Sequence, residues 1–74
     1  MGGNIISDYN PTALLARRMN LGMTQGQLAQ AVGAQTGDIS RWEVGAKGIP
    51  EDIFKKLAFM FGCAPEDLKI GRQA

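Results

Sequence analysis

The chain predicts an all-α domain of five short helices, and three observations carry that reading. Apolar residues recur at helical intervals: Leu28 and Val32 at i, i+4 with Ala29 beside them, then Ile39 and Trp42 at i, i+3. Residues that start helices stand ahead of these runs, with Asn10 before Pro11 and Thr24 three residues before Gln27. Glycines that stop helices follow them, at Gly22, Gly33 and Gly62. The joint at Gly33 is only a few residues long, so the second and third helices form a helix-turn-helix. Seventy-four residues with 45% apolar content allow one small domain with a modest core and exclude a disordered tail.

Residues 1–9, MGGNIISDY, read as a flexible arm whose Ile5, Ile6 and Tyr9 are able to dock. The arm has no Lys or Arg, which argues against insertion into a minor groove. The domain proper spans 10–70. Its first helix runs from the Asn10 cap to about Asn20. Leu14 and Arg18 share a face, which sets Arg18 at the core's edge, whereas Arg17 points to solvent or phosphate.

The second helix begins at Thr24, whose side chain caps it while Gln27 completes a capping box. The third helix, residues 35–44, has two unlike faces. Gln35, Asp38, Ile39 and Trp42 fall on one half. Thr36, Gly37, Ser40, Arg41 and Val44 fall within an arc of about 140° on the other, at 100° per residue. The second face holds small side chains, two hydroxyls and one guanidinium, so it suits close approach to another surface. The major groove of B-DNA admits one helix, and Arg is its commonest specific reader. The alternative for Thr36, Gly37, Ser40 and Arg41 is an ordinary solvated face. Trp42 is expected as a core anchor beside Ile39 rather than as a stacking platform for bases.

The loop from Gly45 to Pro50 contains Lys47, read as a phosphate contact or as a solvated lysine. The fourth helix, from about Pro50 to Phe61, has Glu51 and Asp52 in its first turn, where carboxylates suit the helix dipole. Ile53, Leu57, Met60 and Phe61 form its expected inward stripe, with Phe54 and Ala58 alongside. Phe59 falls opposite, between Lys55 and Lys56, and calls for cover from the arm or from a second subunit. Pro65-Glu66-Asp67-Leu68 starts a short fifth helix that turns Leu68 back to the core, and residues 71–74 read as a frayed tail.

The twenty-two residues from Thr24 to Gly45, TQGQLAQAVGAQTGDISRWEVG, resemble the helix-turn-helix of lambda repressor/Cro-type DNA-binding domains. Thr24, Gln25, Leu28, Ala29, Gly33, Ile39, Ser40, Arg41, Trp42, Glu43 and Gly45 carry the resemblance, and with flanking helices it covers about Leu14 to Leu68. It implies a repressor-like helix-turn-helix bundle and a regulator of transcription that binds double-stranded DNA, as a homodimer at least on DNA. It implies that Gln25 donates to a phosphate from the start of the second helix and that Arg18 pairs with Glu43. The chain departs from the family pattern at Gly37, which has no side chain where relatives often place a base reader, at the acid Asp38 and at the apolar Val44. The DNA-binding candidates are therefore Gln25, Thr36, Gly37, Ser40, Arg41 and Lys47. The alternative is a protein-interaction module of the same fold with a protein partner, such as the antitoxin of a toxin–antitoxin pair, with weak or no DNA binding.

The formal charge of +1 supports nucleic acid only weakly. Four acids, Glu51, Asp52, Glu66 and Asp67, sit at helix starts, and setting them aside leaves Asp8, Asp38 and Glu43 against eight Lys and Arg. The expectation is no enzyme, cofactor or metal: there is no His, and Cys63 reads as a small buried hydrophobe without a base. A signal peptide, a myristoylation site and a membrane span are not expected, which makes the cytoplasm the default.

Overall fold

A computed structural model describes residues 3–70. The described residues form four α-helices: α1 (Pro11–Asn20), α2 (Gln25–Val32), α3 (Thr36–Glu43) and α4 (Glu51–Phe61). The expected fifth helix is corrected to one turn of 3₁₀-helix, Pro65–Leu68. It stops there because Lys69 turns extended and bridges to Tyr9. The all-α expectation is corrected too, since β1 (Ile5–Ile6) pairs antiparallel with β2 (Ile49–Pro50).

Local chemistry accounts for the helices. Asn10 Oδ1 accepts from the Thr12 and Ala13 amides at 3.1 and 3.3 Å, with Pro11 as the first helical residue. Thr24 Oγ1 accepts from the Gln27 amide at 3.1 Å, and Gln27 Oε1 accepts in return from the Thr24 amide at 2.8 Å. Gly33, at φ 78°, then takes the left-handed conformation that ends α2 and redirects the chain into α3.

The core joins all these elements. Leu14 of α1, Leu28, Ala29 and Val32 of α2, and Ile39 and Trp42 of α3 are buried, with Ile49, Phe54, Leu57, Ala58 and Leu68. On α4 the buried face is Phe54, Leu57 and Ala58, while Ile53, Met60 and Phe61 are only half-buried. The inward stripe is thus rotated toward Phe54, whose bulk fills the centre.

Residues 3–9, expected as a flexible arm, are placed against the domain. Tyr9 is buried, and its hydroxyl donates to the Lys47 carbonyl. The Glu51 amide donates to Asn4 O at 2.8 Å, and the Ile70 amide to Asp8 O at 2.7 Å. Residues 3–9 do not cover Phe59, which remains 83% exposed. The expected frayed tail, residues 71–74, lies outside the described residues.

The fit of the arm depends on one missing side chain. A Cβ on Gly48 would collide with Ile5 Cγ2 and lie 3.2 Å from the Ile6 carbonyl oxygen. Gly48→Ala is therefore expected to push β1 off β2. The cost should fall at the low end of overpacking penalties, about 1 kcal/mol, because the displaced Ile5 is itself more than half exposed. Hydrogen exchange reads this directly: the Glu51 amide should lose protection while amides inside α2 keep theirs, and unchanged protection at Glu51 would contradict the close approach.

Candidate nucleic-acid interface

Helix α3 lies with one side in the core and the other in solvent. Ile39, Trp42 and Glu43 are buried, whereas Thr36, Gly37, Ser40, Arg41 and Val44 are exposed. The inward side is fixed from several directions. Trp42 packs in the core and its Nε1 donates to the Gly48 carbonyl at 3.0 Å. Glu43 receives Arg18 of α1 in a two-pronged ion pair, Nε to Oε2 at 2.5 Å and Nη2 to Oε1 at 3.1 Å. Arg18 Nη1 also donates to the Met23 carbonyl at 2.8 Å, so the pair ties α1, the turn before α2, and α3 together. The hydrogen bond to Glu43 raises the already high pKa of the Arg18 guanidinium. The expected Arg18–Glu43 pair is thus present, and it is largely buried.

The six candidates come from three segments: the start of α2, the exposed face of α3 and the loop that follows it. Thr36, Gly37, Ser40 and Arg41 share the exposed face of α3. A Cβ on Gly26 would lie 3.4 Å from Thr36 Oγ1, so the first turn of α2 sits beside the first turn of α3. Gln25, expected to donate to a phosphate, is half-buried and donates one amide hydrogen to Glu43 Oε1 at 2.9 Å. The carboxylate of Glu43 attracts that donor because one Arg leaves it acceptor capacity to fill.

Asp38 organises the cations at the edge of the face. Lys47 Nζ donates to its Oδ1 at 2.6 Å, and Arg41 Nη1 lies 4.0 Å from the same oxygen. The other oxygen, Oδ2, accepts from the Gln35 amide at 3.3 Å and caps the start of α3. Lys47 holds the Asp38 carboxyl below the usual carboxylate range, with help from the Gln35 amide and the Arg41 charge. Lys47 also lies over the Trp42 ring, 5.7 Å from its centroid. The Arg41 guanidinium folds across Gly37, where an added Cβ would be 3.2 Å from Nη1. Asp38 stands three residues after the helix cap, a position that favours a carboxylate, and that spacing is the sequence signal for its central place.

A cleft of 320 Å³ is lined by Ser7, Tyr9, Pro11, Gly45, Lys47, Gly48 and Ile70. Cys63 is half-buried, and burial pushes its thiol pKa up, away from the thiolate that reacts. No helix among the described residues is long and apolar enough to cross a membrane.

Comparison with known proteins follows the same geometry. A family model described as helix-turn-helix matches residues 14–68. The P22 c2 repressor protein, solved in complex with synthetic operator 9T in the presence of Tl+, is 27% identical with a TM-score of 0.79. That match covers 84% of this chain and 94% of the repressor chain. The clp gene regulator ClgR from Corynebacterium glutamicum is 26% identical with a TM-score of 0.71, over 77% of this chain and 61% of its own. The restriction-modification controller protein C.AhdI from Aeromonas hydrophila shares the fold, with 23% identity and a TM-score of 0.70 over 77% of this chain and 83% of its own. No curated protein sequence matches the chain.

Proposed function

The chain belongs to the lambda repressor/Cro-type helix-turn-helix family, and from that premise we propose that it is a repressor-like regulator that seats α3 in the major groove of specific double-stranded DNA. The family and its structural relatives support the broader statement, a DNA-binding transcription regulator. The observation that carries the finer one is the two-sidedness of α3. Its inner side is locked by Trp42 and Glu43, while Thr36, Gly37, Ser40 and Arg41 are left outward and small enough for close approach.

The roles follow from side-chain chemistry. Arg41 reads a base with its fork of donors, Thr36 and Ser40 position the helix, and Gly37 lets the backbone approach. Lys47 leaves Asp38 to meet a phosphate. Gln25 has a second amide hydrogen beyond the one that Glu43 takes, and it offers that hydrogen, with the free backbone amides of the first turn of α2, to another phosphate.

A salt titration against random-sequence duplex DNA tests this reading. Phosphate contacts release counterions, so the logarithm of affinity should fall with the logarithm of salt by about 0.9 per contact. A slope near zero would favour the other reading, a protein-interaction module of this fold such as an antitoxin. The pairing of Lys47 and Arg41 with Asp38 is the feature that suits that alternative.

The regulator acts as a homodimer on a two-fold site, with Phe59 in the contact between copies. Phe59 is the most exposed large apolar side chain among the described residues, and none of residues 3–9 covers it. Sedimentation should show a dimer for the wild type and a monomer for Phe59→Lys. Two monomers at high concentration, with and without operator DNA, would remove the dimer.

A further inference from the structure

We propose that Asp38 is a specificity-determining residue that suppresses binding to random DNA, by holding Lys47 beside the reading face until a matching base sequence draws it away. The inference rests on the DNA-binding reading of α3 and adds a restraint to it. Lys47 Nζ is 2.6 Å from Asp38 Oδ1 and Arg41 Nη1 is 4.0 Å from the same oxygen, so one carboxylate opposes both cations.

The consequence is electrostatic. Non-specific affinity comes almost wholly from cations that neutralise phosphates. A Lys47 that stays on Asp38 neutralises none, and the Asp38 charge itself repels the phosphates that flank the groove. At a matching site the position differs. Arg41 gains bidentate hydrogen bonds to a base, which random sequence does not offer, and that gain draws the face close enough for Lys47 to exchange Asp38 for a phosphate. Binding thus becomes conditional on base reading, a form of discrimination that works by penalising the wrong partner.

Asp38→Asn isolates this role, because an amide oxygen still accepts from the Gln35 amide and preserves the cap while the charge is removed. Affinity for random duplex DNA at 0.1 M salt should rise roughly tenfold and the salt slope should steepen by about 0.9, the value for one added phosphate contact. Affinity for the selected site should rise less, so the specific-to-random ratio should fall. The same gain should largely vanish when Asp38→Asn is combined with Lys47→Ala, a comparison that holds even if each variant shifts stability slightly. Circular dichroism and a thermal melt confirm that each protein is folded at the assay temperature. If Asp38→Asn does not fold, Asp38→Ser, which keeps an oxygen acceptor without the charge, takes its place in every comparison.

If the wild type binds duplex DNA with a clear salt slope and Asp38→Asn is neither tighter nor steeper, the restraint is overturned while the DNA-binding reading stands. An undiminished gain in the Lys47→Ala background would overturn it as well. Absence of binding by both the wild type and Asp38→Asn would overturn the DNA-binding reading and this inference together.

Discussion

Glu43→Ala should destabilise the fold by about 3–5 kcal/mol, the usual consequence of leaving a buried charge without its partner. Glu43 and Arg18 expose only 4% and 13% of their side chains. With the carboxylate gone, the Arg18 guanidinium keeps only the Met23 carbonyl, and the Gln25 amide loses its acceptor as well. The pair is not strongly stabilising in itself, since desolvation offsets most of its attraction. Its loss is costly because what remains is uncompensated. A chain of this size is stable by roughly 4–11 kcal/mol at 0.05–0.15 kcal/mol per residue, so the substitution should remove a large part of the total. Replacing both residues together, Arg18→Met with Glu43→Leu, should cost less than Glu43→Ala alone. Urea melts measure all three proteins, and a loss under 1 kcal/mol for Glu43→Ala would refute the account of the pair.

Arg41→Ala should weaken binding to the specific site by about 1–3 kcal/mol, roughly fivefold to 150-fold, and relax preference at one base pair. Its competing partner in the free protein is Asp38, but at 4.0 Å and with 59% of the Arg41 side chain exposed that contact is weak. Exposed pairs contribute about 0–1 kcal/mol, less than a bidentate bond to a guanine inside the groove. The balance therefore favours transfer of the guanidinium to DNA. Titration of the selected duplex with both proteins checks this, and an affinity loss that is the same on random duplex would reduce Arg41 to a phosphate contact.

The helices were readable because their signals are local. Asn10 with Pro11 and Thr24 with Gln27 mark their starts within four residues, and Gly33 and Gly62 close their helices in the left-handed conformation. Arg18 and Glu43 were recoverable too, one from its shared face with Leu14 and the other from the family pattern. The β1–β2 pairing was not readable. Two residues are too few to show alternation, and the partner strand lies far along the chain. Docking of the arm depends on the absence of a side chain at Gly48, which no periodicity reveals. The same limit applies within the site. The outward position of Thr36, Ser40 and Arg41 follows from helical spacing, whereas the engagement of Gln25 by Glu43 and of Lys47 by Asp38 depends on long side chains choosing among several acceptors. On α4, spacing gave the buried side but not its centre, because large apolar residues flank Leu57 on both sides of the wheel, Ile53 on one and Phe54 on the other.

Selection from a pool of randomised duplexes shows whether α3 reads base sequence through Arg41. Wild type and Arg41→Ala are carried through the same rounds at the same salt, and the enriched sequences are compared position by position. Wild type should enrich a motif containing a guanine, and Arg41→Ala should lose information at that position while keeping it elsewhere. Enrichment of one identical motif by both proteins, with equal information at every position, would contradict base reading by Arg41.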